Sequence, residues 1–272
     1  MKKLIVLVMI LAATACGGGG GGGGSTPPAD TPTAPTPPPT GSVPSHEDLG
    51  GVWRGESSSD NQRFPDQDIV GVTTDDGRMR FISLDTLFQY YGRASISGDQ
   101  LTLSGMVSTN QQDPVAFTFD GQISERAQII GLWNIPSIPD SGRLTVSYDH
   151  ELHNRVVNPE AVAGNWMSFD VRTGNPDANV TLYANGTITA IDTFGCSFNG
   201  TYARVNPVYN TYNLSVTVTD CDNVDGTYVG LGVFLDTVKQ NGSINRNGMF
   251  VYSVDNGVYF KTSVIYDSRT LQ

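Results

Sequence analysis

The chain of 272 residues has few charges, few histidines and few cysteines. Charged residues make up 16% of it, and 27 acidic residues outnumber 16 basic ones, so the formal net charge is -11. Such a surface does not attract nucleic acid or anionic lipid, which excludes both as partners held by charge. The low charge and the 31 glycines also argue against long helices and favour short strands joined by tight turns.

The sequence also lacks the motifs of common catalytic and metal sites. It contains no Gly-x-Ser-x-Gly elbow, no Walker glycine loop and no Rossmann fingerprint, and no pair of carboxylates stands out among the 27 acidic residues. His150 and His153 are three apart without an evident third ligand, so we expect a solvated linker rather than a zinc site. The stretch from Asp220 to Gly226 has Val224 at its fifth position, which favours a polar turn over a calcium loop. We therefore predict no enzyme activity, no metal and no cofactor.

The N-terminus has the three parts of an export signal. Met1 is followed by two lysines, an uncharged run from Leu4 to Ala15 and then Cys16. The run is shorter than the roughly 20 apolar residues that a spanning helix needs. The residues before the cysteine resemble the bacterial lipobox, with Ala13 where that motif usually has Leu, and the resemblance implies cleavage before Cys16 and its lipidation. The alternative is a secreted protein with a spare thiol.

The next segment has the composition of a tether. It contains eight glycines at 17–24 and eight prolines before residue 45, so it has no hydrophobic face with which to fold. Gly17 directly after Cys16 resembles the enterobacterial sorting signal for the outer membrane. We therefore expect a lipid anchor in that membrane, facing either the periplasm or the cell surface.

The rest of the chain contains one unit twice. Leu49 to Trp53 is echoed by Val162 to Trp166, and Leu144 to Asp149 is echoed by Thr262 to Asp267. Asp-Gly and Asn-Gly turns recur between stretches of alternating polarity in both halves, which indicates about eight strands per unit. We therefore predict a signal peptide at 1–15, Cys16 and its tether at 16–45, β domains at 46–150 and 161–272, and a linker at 151–160.

Eight short antiparallel strands in about 105 residues most economically form a closed meander barrel, with a two-sheet sandwich as the alternative. The Gly-x-Trp openings at Trp53 and Trp166 resemble the first strand of lipocalin-like barrels. That resemblance implies that each tryptophan closes one end of its barrel. It also implies a basic residue of the last strand over each ring, for which Arg143 and Lys261 are the candidates. Burial of both tryptophans in an ordinary core is the competing interpretation.

The second unit resembles an uncharacterised type of proteobacterial lipoprotein domain over residues 160–268. The segments that carry the resemblance are Tyr183 to Thr189, Gly195 to Thr201, Asn210 to Leu214, Cys221, and Gly226 to Leu231. The resemblance implies an outer-membrane lipoprotein with tandem small barrels and implies no activity.

Two cysteines remain once Cys16 is set aside. In an exported chain, an even pair is most simply a disulfide, so we predict a bond between Cys196 and Cys221. A hairpin centred between them would put Phe198 on the opposite face from Val218, and we therefore expect a bulge or a slip of one residue.

Three functions remain open. The first is a non-catalytic binding module for a macromolecular partner, protein or glycan, since a duplicated unit on a tether allows avidity. The second is a lipocalin-like carrier of a small apolar ligand, because eight strands are just enough to hold one. The third is a structural protein of the envelope. The first two differ in whether certain inward residues fill their barrel or line a void. Those residues are Tyr90, Phe117, Phe119, Phe198 and Tyr228.

Overall fold

The computed structural model describes residues 49–62, 64–86, 88–108, 114–169, 175–239 and 242–270. The predicted signal peptide, Cys16 and the tether lie outside the described residues. The described part is all-β and contains two closed antiparallel barrels of eight strands each, as predicted, and neither is a sandwich.

Each barrel is an up-and-down meander closed by its first and last strands. The strands of the first are β1 (Gly51–Ser59), β2 (Gln67–Thr73), β3 (Arg78–Ser83), β4 (Gln89–Ser97), β5 (Gln100–Ser108), β6 (Val115–Ser124), β7 (Gln128–Ile135) and β8 (Asp140–Tyr148). Those of the second are β9 (Gly164–Phe169), β10 (Pro176–Leu182), β11 (Thr187–Asp192), β12 (Ser197–Arg204), β13 (Tyr212–Thr219), β14 (Gly226–Val238), β15 (Ile244–Asp255) and β16 (Phe260–Asp267).

The hairpin turns follow the sequence signals. Gly77 and Gly186 have φ angles of 84° and 83°, a region that glycine enters without steric cost. Strand faces follow the period of two: Leu214 and Val216 are buried inside the barrel, whereas Ser215 is exposed.

Helices are short. They are α1 (His150–His153), α2 (Pro159–Val162) and the 3₁₀ helices η1 (Asp222–Val224) and η2 (Ser268–Thr270). Within the described ranges, no helix combines the length and the apolar character that crossing a membrane requires.

The two barrels begin alike. Trp53 donates a hydrogen bond from Nε1 to the carbonyl oxygen of Leu49, and Trp166 donates one to that of Val162, four residues earlier in each case. The last strands of the two barrels, however, do not align as the sequence repeat suggested. Trp53 pairs with Tyr148, whereas Trp166 pairs with Asp267, so Asp267 rather than Tyr266 is the counterpart of Tyr148. The sequence repeat is therefore offset by one residue from the structural alignment. Tyr266 faces the outside of its barrel.

The outer faces of β2 and β3 pack against those of β14 and β15. An apolar cluster spans this junction, with Val70, Val72 and Ile82 from the first barrel and Leu231, Val233 and Val251 from the second. A salt bridge between Arg80 and Asp255 lies beside it. Separating the two barrels at this junction would expose these side chains to water.

The linker is not the polar, solvated segment that the sequence indicated. Leu152 and Val157 are buried, and the side chain of His153 is only 3% exposed. The His153 ring lies 3.9 Å from that of Tyr209, centroid to centroid, and neither ring nitrogen has a hydrogen-bond partner among the described residues. Burial, together with the charges of Arg126 and His150, lowers the pKa of His153 to about 4.

Candidate ligand-binding cavity

The interior of the second barrel contains a cavity of about 430 Å³. This volume lies within the range of about 300 to 1,000 Å³ that is typical of sites for small molecules. Its walls are mostly apolar and are lined by residues that include Val180, Ile188, Ala190, Val216, Val218 and Val254. The cavity can therefore enclose an apolar molecule and remove its surface from water.

Aromatic rings close the floor of the cavity. Trp166 is buried beside Phe234, with ring centroids 5.8 Å apart, and Phe234 stacks on Phe250 at 4.3 Å. Tyr202 and Tyr212 complete this layer. Because these rings fill the width of the barrel, access to the cavity is from the opposite end.

Of the described residues, those in the turns after β11, β13 and β15 lie at this opposite end. The predicted disulfide between Cys196 and Cys221 is present, with the Cα atoms 4.8 Å apart, and it ties the first two of these turns together. The ladder below it is displaced by one residue, so that Phe198 pairs with Val218, as the predicted slip requires. The Phe194 side chain on this rim is 87% exposed.

Asp192 supports the rim. Its Oδ1 accepts hydrogen bonds of 2.9 Å from the backbone N–H groups of both Phe194 and Cys196. The Asp192 carboxylate lies within 4.8 Å of the sulfurs of Cys196 and Cys221. Those sulfurs are bonded to each other and are not thiolates, so the cluster does not offer the ligands of a metal site.

One side of the cavity is polar. Ser168 on β9 and Ser263 on β16 have their hydroxyl oxygens 3.1 Å apart. Tyr252 on β15 pairs with Ser263 and also lines the cavity. Burial raises the pKa of Tyr252, although a hydrogen bond with Ser263 opposes this effect. Tyr252 therefore remains a neutral phenol that can donate a hydrogen bond into the cavity.

Lys261 crosses the barrel near its open end. Its Nζ lies 4.4 Å from the ring centroid of Phe198, which is on β12. In the strand order of the barrel, β12 and β16 are four positions apart and thus face each other. The side chain consequently carries its ammonium group from one wall to the other, where the aromatic face attracts it.

The first barrel is filled where the second is hollow. A void between its inward side chains measures about 10 Å³, no more than a single water molecule needs. Trp133, Phe117 and Phe119 occupy the interior, and Trp133 donates a hydrogen bond of 3.1 Å to Ser57. Phe64 packs over this core from the loop after β1.

The strand pairings show which substitutions separate the two interiors. Two residues are counterparts when they occupy the same position along the strand ladders relative to Trp53 and to Trp166. In the upper part of each barrel, the counterparts are Phe81 and Ala190, Phe119 and Gly230, Trp133 and Val254, and Leu144 and Ser263. At the floor they are Ala94 and Tyr202, Leu101 and Tyr212, Ile123 and Phe234, and Ile129 and Phe250. At these positions, the second barrel thus has large rings at the floor and smaller side chains above.

The sequence-predicted site residues are only partly brought together. Trp53 and Trp166 are fully buried at corresponding ends of their barrels. The predicted basic residues do not cover them. Arg143 is exposed on the outer wall and pairs with Ser58, five residues along β1 from Trp53. Lys261 lies at the opposite end of its barrel from Trp166.

Other rings take the places expected for Arg143 and Lys261. Tyr148 packs edge-on against Trp53 at 5.0 Å, and Phe234 packs against Trp166. At the floor, β8 carries Val146 and Tyr148, and β16 carries Ile265 and Asp267. Arg143 and Lys261 are too far along these strands to reach the tryptophans.

The five residues that were expected either to fill their barrel or to line a void all face inward. Tyr90, Phe117 and Phe119 fill the first barrel, and Phe198 and Tyr228 line the cavity of the second. Sequence reasoning missed the polar wall of Ser168, Tyr252 and Ser263. An inward serine in the last strand, where the first unit has a leucine, was a usable signal, but the displaced echo paired it with the wrong residue.

No protein-family model and no curated protein sequence matches the chain. Among solved structures, the chain is similar to a "putative outer membrane protein" of Bacteroides fragilis. The two share 14% sequence identity with a TM-score of 0.29, over 81% of this chain and 97% of that one. A similarity this low supports no inference about the cavity or its ligand.

Proposed function

We propose that the protein is a non-catalytic binding protein whose second barrel takes up a small, mostly apolar molecule. The observation that carries this proposal is the cavity of about 430 Å³, whose walls are mostly apolar. An ordinary packed core leaves few voids larger than a water molecule. The first barrel meets that standard with the same strand order, so the hollow interior is a property of the side chains of the second barrel.

Native mass spectrometry of the purified protein tests whether the cavity carries a ligand. A small molecule that co-purifies and leaves on denaturation supports uptake in the cavity. If the measured mass is that of the protein alone, less two hydrogens for the disulfide, no ligand has co-purified. Binding of added ligands such as 1-decanol is then measured by calorimetry.

The variant Ala190→Phe locates the binding. It introduces at Ala190 the residue that its counterpart, Phe81, has in the first barrel, and it should abolish binding by occupying the cavity. Ile191→Phe is the matched control, because Ile191 is the next residue on β11 and its side chain is 59% exposed on the outer face. Equal loss in both variants, or unchanged binding in Ala190→Phe, would contradict binding inside the barrel.

We also propose that the protein is anchored in the outer membrane by lipid on Cys16. The basic start, the uncharged run from Leu4 to Ala15 and the cysteine that follows them support this proposal. Labelling cells with palmitate should mark the wild type and not Cys16→Ser, which should leave the membrane fraction. Membrane retention of Cys16→Ser would argue against the anchor. A macromolecular partner stays a prediction, as does the choice between the periplasmic face and the cell surface.

A further inference from the structure

The position of Lys261 specifies the chemistry of the ligand. We infer that the molecule bound in the second barrel carries a single negative charge, such as a carboxylate, which Lys261 binds near the open end while the apolar part occupies the cavity. This inference rests on the proposed function.

Lys261 is available for such a partner. Its ammonium group lies over the Phe198 ring. None of the salt bridges found among the described residues includes Lys261. A charged group surrounded by apolar walls is unfavourable without a partner of opposite charge. An anion placed beside Nζ would supply that partner in a site that is partly shielded from water, where charge-assisted hydrogen bonds are strong.

Hydroxyl groups are placed to complete the recognition of an anion. Ser263 is on the same face of β16 as Lys261, two residues further on, and its hydroxyl is beside that of Ser168. Tyr252 pairs with Ser263 and supplies a phenol that stays protonated. Each hydroxyl has one proton, and the contacts of Ser263 with Ser168 and Tyr252 use two of the three, so this wall can donate one hydrogen bond to a carboxylate oxygen.

Among the described residues that line the cavity, Asp192 is the only acidic one, and it does not prevent anion binding. Asp192 has its Oδ1 engaged by two backbone N–H groups of the rim, so it is held as part of the turn. Among the described residues that line the cavity, Lys261 is the only basic one. A single cation matches one negative charge better than the two charges of a phosphate monoester.

The first barrel shows why the lysine belongs to the hollow one. The counterpart of Lys261 is Gly142, and a Cβ atom at Gly142 would collide with the ring of Trp133. In the second barrel Val254 replaces that tryptophan and leaves room for a long side chain. The small valine and the lysine therefore go together, as expected if both serve the same ligand.

Calorimetric titration of the purified full chain with decanoate, 1-decanol and decylamine tests the inference, because the three probes share a chain and differ in head-group charge. Decanoate should bind about 10- to 100-fold more tightly than 1-decanol, as for a charge-assisted hydrogen bond. Lys261→Met should remove this preference, so that decanoate and 1-decanol bind with similar affinity. Lys261→Arg should retain it, and Lys239→Met, with its lysine outside the cavity, should behave as the wild type.

The possible failures are distinguishable. Two results would contradict an anionic ligand and leave the proposed function in place. One is equal affinity of the wild type for decanoate and 1-decanol, and the other is tighter binding of decylamine than of either. A preference for decanoate that persists in Lys261→Met would also overturn the role of Lys261. Binding of none of the three probes by a folded wild type would contradict the proposed function itself. Circular dichroism and the melting temperature establish that each variant is folded.

Discussion

The two barrels share their strand number, strand order and opening tryptophan, yet one interior is filled and the other contains a cavity of about 430 Å³. The difference arises from where each barrel places its large side chains. The first distributes them along its length and covers its upper end with Phe64. The second concentrates them at the floor, so that the same backbone becomes a container. A barrel of eight strands is at the size at which side chains alone decide between these outcomes.

The largest expected effect comes from hollowing the first barrel. Trp133→Val introduces the residue found at the corresponding place in the second barrel, Val254. It should lower the free energy of unfolding by about 3 to 4 kcal/mol, because it leaves a void in a packed core and removes the partner of Ser57. Urea unfolding followed by circular dichroism measures the change.

Leu132→Val is the matched control for Trp133→Val. Leu132 precedes Trp133 on β7, its side chain is 56% exposed, and its shortening should change the free energy by less than about 0.5 kcal/mol. If Trp133→Val cost no more than this control, the first barrel would not depend on being filled.

The disulfide provides the next effect, and among the described strands it belongs to the second barrel alone. Cys196 and Cys221 are 25 residues apart, and opening a loop of this length should cost about 3 kcal/mol. Replacing both by Ala should lower the melting temperature and make it insensitive to reductant, whereas reductant should lower that of the wild type. An identical melting temperature with and without reductant in the wild type would show that the bond contributes no stability.

The pH dependence of unfolding should reveal His153, which packs against Tyr148 at the closed end of the first barrel. Its pKa is about 4 in the folded protein and 6.5 ordinarily. As the pH falls below 6.5, the unfolded chain binds a proton at this site and the folded protein does not. The stability from the neutral ring is thus complete above pH 6.5 and is lost as the pH falls toward 4.

Between pH 7 and pH 5, His153 should account for a loss of about 1 to 2 kcal/mol in the free energy of unfolding. His153→Phe keeps a ring against Tyr209 and cannot be protonated, so it should lose less stability than the wild type over this interval. Urea titrations at the two pH values measure the difference. Parallel losses in both proteins would show that His153 is not the group responsible.

The smallest effect on stability is expected from filling the second barrel. Val254→Trp gives it the residue of its counterpart Trp133 and should raise the free energy of unfolding by about 1 kcal/mol at most, because new apolar burial is partly offset by crowding of Lys261. The same variant should lose binding of 1-decanol. If Val254→Trp bound 1-decanol as well as the wild type does, the cavity would not be the binding site.

Sequence patterns predicted the architecture well because they are local. Turn glycines such as Gly77 and Gly186, and the alternation from Leu214 to Val218, define hairpins whatever the rest of the chain does. The disulfide followed from having only two cysteines after the predicted signal peptide and Cys16. The location of the cavity did not follow, because it depends on which inward residues of eight strands share one level. Lys261 was misplaced because it lies six residues along β16 from Asp267, the partner of Trp166, and the Gly-x-Trp pattern contains nothing about that distance.

The sequence by itself determined the number of strands, the duplication, the cysteine pair and the inward direction of the aromatic residues. These depend on neighbours along the chain and on the strict period of two in a strand. Only the tertiary structure decided that His153 is buried, that Arg143 faces solvent, and that Lys261 reaches Phe198 across an open interior. Those outcomes depend on the side-chain volumes and strand registers of all eight strands of a closed barrel, and no single segment of the chain contains that information.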